Sequence, residues 1–148
     1  MQPYFKRVGK HSKGFDRFKP NTMKQKNAFP PNYIHSLDST HMMLTALYCV
    51  HAGITFVSVH DCYWTHACDV PIMNKICREQ FVSMHKQPLL EDLSEHLISL
   101  VNRASQDPNL EEAMKKVDTV ALMQLLRKVP KRGTFNLDNV MKSTYFFS

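Results

Sequence analysis

The residues best equipped for chemistry sit in one stretch, Ile54-Thr55-Phe56-Val57-Ser58-Val59-His60-Asp61-Cys62-Tyr63-Trp64-Thr65. An apolar, β-branched run climbs to a carboxylate and continues past it into aromatics. A carboxylate held at the end of a stiff strand keeps its oxygens open to a hard divalent cation. The other reading is a solvated turn aspartate, a residue type that turns favour. Two histidine-rich blocks flank the strand. The first, His35-Ser36-Leu37-Asp38-Ser39-Thr40-His41, reads as a turn and helix start with a capping residue. The second, His60, Cys62, His66 and Cys68, offers four zinc-type ligands within nine residues. Its spacing matches no familiar zinc knuckle, and a hairpin would split the four between two strands. A Cys/His nucleophile has no supporting pattern. Neither GxxxxGK[ST] nor GxGxxG occurs.

The elements that must position these residues follow from pattern. Residues 54–59, rich in Val, Ile, Phe and Thr, predict a strand, and 63–66 a second one. Together they form a β-hairpin with His60 and Asp61 at or beside its turn. Before it, residues 32–37 read as extended or turn. A helix then starts at Asp38 or Ser39, carries Met43, Ala46, Leu47 and Val50 at helical spacing, and stops at Gly53. After the hairpin, Asp69 is a candidate N-cap with Pro71 in the first turn, followed by a stripe of Met73, Ile76, Cys77, Gln80, Phe81 and Met84. Pro88 opens a helix with Leu90, Leu93, Leu97 and Leu100 inward. A further amphipathic helix spans 110–129, and Asn136 caps a short helix to Met141. The terminal Tyr145, Phe146 and Phe147 are expected to dock, since three aromatics are costly to leave in water. An isolated two-stranded hairpin is marginal, so this one should belong to a larger fold or meet a partner.

The 148 residues suit one domain with a real core, and no stretch nears the ~20 apolar residues of a membrane helix. Residues 1–26 hold no apolar signal-like run, so no secretory signal is expected. With four cysteines in no CxxC pair, reduced thiols are expected. Up to Pro31 there are eight Lys or Arg against one Asp, while the rest carries eleven basic against twelve acidic residues. The positive charge therefore belongs to an arm, residues 1–31, predicted as loop and suited to nucleic-acid phosphates.

Pro31-Asn32-Tyr33-Ile34-His35-Ser36-Leu37-Asp38-Ser39-Thr40-His41, followed in order by Val59-His60-Asp61-Cys62, resembles the C-terminal part of phage-type single-subunit DNA-directed RNA polymerases, closest to their mitochondrial branch. The run from Lys19 to Asn27 and the ending Ser143-Thr144-Tyr145-Phe146-Phe147-Ser148 fit as well. The resemblance implies an α+β fold: the helix-rich C-terminal portion of a right-hand palm, residues 32–148, with one hairpin carrying the catalytic Asp. His60-Asp61 would be palm motif C. Asp61 would be one of two aspartates holding two Mg²⁺ ions, with His60 orienting or screening it. His35 would lie near the sugar and base of a nucleotide, with Ser36 and Asp38 shaping that turn. Lys24 and Lys26 would touch nucleic-acid phosphates, and the aromatic tail would pack towards the active site. Cys62 departs from the family's usual Ser, though a small residue still fits. The family's other metal-binding Asp, and its helix bearing the Lys and Tyr that meet the triphosphate, have no match here. The implied protein works in mitochondria on a DNA template, an RNA product and NTPs, with mitochondrial transcription factors. This chain would be a C-terminal fragment of it, inactive alone. Two other readings remain: a non-catalytic nucleic-acid-binding module using the arm, and a small zinc protein.

Overall fold

In a computed structural model the protein is described over residues 5–7, 18–110, 114 and 117–146. The chain divides into two compact units, Met1–Cys77 and Arg78–Ser148.

In the first unit, β1 (Phe5–Arg7) pairs antiparallel with β2 (Phe18–Pro20), with Lys6 opposite Lys19. The loop predicted for residues 1–31 thus contains strands, and it also contains the first turns of a helix. Helix α1 (Thr22–His51) begins at Asn21, whose side-chain oxygen accepts from the Lys24 N–H at 3.3 Å. It runs through Pro30 and Pro31, so the extended segment at 32–37 and the cap at Asp38 or Ser39 are both overturned. Each proline removes one i→i−4 bond. The carbonyls left over belong to Lys26 and Asn27, on exposed residues where water can take them. The Phe29 and Tyr33 rings stack one turn apart, centroids 6.2 Å, across the proline pair. Ser39, read as a possible capping residue, and its neighbour Thr40 instead donate their hydroxyls to the carbonyls of His35 and Ser36 at 2.9 and 2.8 Å.

The C-terminus of α1 does follow its sequence signal. Gly53 has φ +72°, its N–H donates to Val50 O, and the Ile54 N–H reaches back to Cys49 O. This is the paired closure of a Schellman motif, and Ile54 packs with Cys49 as that motif requires. Cys49, Ile54 and Ile76 form the small core, with Phe56 and Met73 against it. The buried positions of α1 are His41, Thr45 and Cys49, while Met43, Leu47 and Val50 are open to solvent. Strands β3 (Val57–Val59) and β4 (Cys62–Trp64) form the second antiparallel pair. A 3₁₀ turn at Ala67–Asp69 leads into α2 (Val70–His85), with Pro71 in its first turn.

The second unit takes the rest of α2, α3 (Leu89–Gln106) and α4 (Thr119–Leu126), then a 3₁₀ segment at Leu137–Lys142 capped by Asn136. The helix expected over 110–129 is not continuous: Asp118 restarts it by accepting from the Ala121 N–H at 2.9 Å. On α3 the inward residue is Ser94, whose hydroxyl donates to the Leu126 carbonyl at 2.7 Å, an orphan acceptor at the end of α4. Leu90 and Leu100, expected inward, are exposed. Of the aromatic tail, Phe146 docks edge-on against Phe81 at 5.0 Å with Arg78 over its ring, whereas Tyr145 stays in solvent. Arg78 also donates to the carbonyls of Val140 and Ser143. Phe147 lies outside the described residues.

Candidate active site

The β3–β4 register pairs Val59 with Cys62, which leaves His60 and Asp61 as a two-residue hairpin tip. Tight hairpins need positive φ in their loops, normally supplied by Gly or Asn. Here His60 supplies it, with φ 55°. A non-glycine residue in that region costs roughly 1–2 kcal/mol, and such residues concentrate at functional sites. Both tip side chains are exposed. Among the described residues, Asp61 accepts no hydrogen bond and forms no ion pair, so both its oxygens are open.

The hairpin's faces are assigned in an unusual way. Ser58 and Tyr63, directly opposite each other, turn inward, while Val57, Val59 and Trp64 are about half exposed on the other face. The Ser58 hydroxyl donates to Met42 Sδ at 3.0 Å, and the Tyr63 ring lies 5.2 Å from Phe56 and 6.5 Å from His41. His41 is itself buried, and its Nε2–H donates to the Cys77 carbonyl at 2.8 Å. That bond ties α1 to α2 beneath the hairpin. The Tyr63 phenol is pushed up to about 12, first by burial and then by negative charge at Cys77, Asp38 and Asp61. Asp38 and Asp61, far apart in sequence, therefore act on one phenol.

The expected site residues separate into two groups. Asp61, beside His60 at the tip, and Asp38 on α1 both raise the Tyr63 phenol by their charge, and His35 reaches Asp38 from one turn earlier, Nδ1 to Oδ2 3.9 Å. That pair is mostly solvated and so weak. Ser36 does not shape a turn; it sits mid-helix and donates to the Tyr33 carbonyl at 2.7 Å. Lys24 and Lys26 lie in the opening turns of α1, roughly 20 Å along the helix axis from Asp38. They belong to a different patch. Sequence reasoning passed over Tyr63 and treated His41 as incidental. The alternation of Ser58 and Tyr63 with exposed neighbours was the available signal for the first. For His41 no local signal exists, because its partner is 36 positions away.

Among the described residues no three His, Cys, Asp or Glu side chains gather as a metal site, so the zinc reading of His60, Cys62, His66 and Cys68 lacks its cluster. Magnesium makes a different demand, one or two hard carboxylates with the remaining ligands from water and substrate phosphates. Asp61 fits that as a single open carboxylate.

Residues 7–148 match the model of the DNA-dependent RNA polymerase family. The chain is similar to the mitochondrial DNA-directed RNA polymerases of Mus musculus and Homo sapiens, 57% and 58% identical over 130 residues, 88% of this chain. It is 46% identical over 125 residues, 84% of its length, to the chloroplastic DNA-directed RNA polymerase 3B of Nicotiana tabacum. These alignments take in 11%, 10% and 11% of the three relatives, so the chain spans about a tenth of the length of the curated relatives it matches. The helix-rich α+β architecture with a hairpin ending in His60-Asp61, together with a family match over nearly every residue, leads to one assignment: this chain belongs to the DNA-dependent RNA polymerase family.

Proposed function

We propose that this chain supplies the motif-C part of the palm, within residues 32–148, of a mitochondrial DNA-directed RNA polymerase, where Asp61 is a metal ligand in template-directed nucleotidyl transfer. The observation that carries this is the tip itself: His60 and Asp61 alone form a two-residue loop, with the carboxylate open and the histidine in a left-handed conformation. Asp61 would hold Mg²⁺ jointly with a second aspartate that this chain does not supply. When bound, the ions provide Lewis-acid activation of the RNA 3′-hydroxyl and charge stabilisation at the departing pyrophosphate.

This chain's own residues set that carboxylate in place. His60 fixes the tip backbone and screens one side of Asp61. Tyr63 stays protonated at neutral pH, so its hydroxyl adds no charge beside the carboxylate. Asp38 and His35, on the adjoining face of α1, are placed for the sugar and base of a nucleotide. Ser36 locks the helix turn beneath them through the Tyr33 carbonyl. Lys24 and Lys26 serve template or hybrid phosphates away from the tip. The working protein acts on DNA, RNA and NTPs with mitochondrial transcription factors, and the 148-residue chain by itself is inactive, because one carboxylate cannot clamp two ions.

The test is Asp61→Asn in the full-length polymerase. Expected is loss of RNA synthesis with folding and DNA binding retained; near-normal elongation removes the proposal. The competing reading, a non-catalytic binding module built on the basic arm, predicts instead that nothing measurable depends on Asp61 while neutralising Lys24 and Lys26 abolishes binding.

A further inference from the structure

In the second unit, four cations fall within six residues, Arg127, Lys128, Lys131 and Arg132, with no acid among them, and all four are exposed. Lys131 and Arg132 line one wall of a cleft of about 610 Å³ that the α2–α3 junction closes from the other side, and Lys128 stands just before that wall in the chain. Leu89, Leu90 and Pro130 give it apolar walls, and Phe135 lines it with 66% of its surface open. Arg132 is committed to holding the cleft together: it donates to the carbonyls of Lys86, at 3.1 Å, and Gln87, and its Nε lies 3.9 Å from Glu91. Lys86 is committed to Asp138 at 2.7 Å. Lys128 and Lys131 hold no ion pair among the described residues.

We propose that this cleft binds single-stranded nucleic acid, one base stacking on Phe135, one phosphate meeting Lys131 in the cleft and the next reaching Lys128 on the exposed segment before it. An exposed aromatic ring beside uncommitted ammonium groups is what sequence-tolerant single-strand recognition requires. A duplex keeps its bases stacked and leaves the phenyl unused. An acidic peptide would use the lysines but neither the ring nor the apolar walls. Only the choice of nucleic acid over another polyanion rests on the polymerase reading; the site is separate from Asp61 in sequence and in unit.

The experiment is fluorescence anisotropy of the 148-residue chain with a labelled single-stranded oligonucleotide, carried out with Lys24→Gln and Lys26→Gln in place to weaken the arm. Phe135→Ala should lower affinity about tenfold, and Phe135→Trp should keep it. Lys128→Gln with Lys131→Gln should flatten the slope of log affinity against log salt by about 1.4. An oligonucleotide bearing 5-iodouracil should photocross-link to the peptide that contains Phe135. Phe135 is exposed, so its truncation leaves the fold intact, which circular dichroism checks. Unchanged affinity in Phe135→Ala, cross-links confined to the arm, or an acidic peptide that competes equally well would overturn the site. Asp61→Asn should leave this binding unchanged while stopping synthesis in the full polymerase, so either proposal can fail without the other.

Discussion

The hairpin and the helix before it obey different rules, although both belong to the same unit. The hairpin does what its own residues dictate. The end of the β-branched run makes the strand, Val57–Val59 rather than all of 54–59 because Ile54 is taken up by the helix closure. The second strand is Cys62–Trp64 rather than 63–66, two polar residues make the tip, and the register follows from the loop length. Helix α1 does the opposite in its first half. Two adjacent prolines and a string of Asp, Ser and Thr argue for a break, yet the helix passes through them. Its second half explains why. There His41, Thr45 and Cys49 are buried and the Schellman closure at Gly53 is complete, so the helix is anchored at one end and propagates back to a cap at Asn21. No residue of α1 before His41 is buried. The tip is thus locally encoded, and the platform beneath it is encoded by contacts distant in sequence.

Removing the anchor should break that distinction most severely. His41→Ala deletes a buried ring and its bond to the Cys77 carbonyl, and should cost about 3 kcal/mol in urea unfolding of the chain. A loss below about 0.5 kcal/mol would mean that the hairpin's platform stands without it. Next is the proline pair. Because Pro30 lies within a continuous helix, Pro30→Ala should restore a backbone bond and stabilise the chain by about 1–2 kcal/mol. A destabilised variant would show a chain that turns at that point, as its local sequence suggests. The smallest effect is one of pH. Tyr63 has its phenol raised to about 12 in the folded chain against an ordinary value near 10, so the folded state keeps a proton that the unfolded state gives up. Its contribution to stability is complete below pH ~10 and is lost as pH rises towards ~12. Phenolate absorbance should show a titration step near pH 12 that Tyr63→Phe removes.

What could be read from the chain divides along the same line. The helix stop at Gly53, the tip at His60-Asp61, the helix opened by Pro88 and the short segment capped by Asn136 all rest on local chemistry, and each is found where expected. The first half of α1 was not legible, because Asp38, Ser39 and Thr40 fit a cap and a helix interior equally well until the contacts of His41 are known. The break at Asp118 was legible in principle, since an Asp-Thr pair before an apolar run is a cap signal. At the site, the family motif named Asp61, His60 and the block around His35. Periodicity could not show that Asp38 and Asp61 act on the same tyrosine, because that depends on how α1 and the hairpin pack. The open face of Val57, Val59 and Trp64 accords with the expectation that this hairpin needs neighbours.

If the Asp61 carboxylate holds a divalent ion at the hairpin tip, exchanging Mg²⁺ for Fe²⁺ in the full-length polymerase and mapping the backbone cuts made by hydroxyl radicals will locate that ion. Cleavage is expected beside His60 and Asp61, suppressed by excess Mg²⁺ and removed by Asp61→Asn. Cleavage that persists in Asp61→Asn, or that never falls near the tip, would contradict metal binding by Asp61.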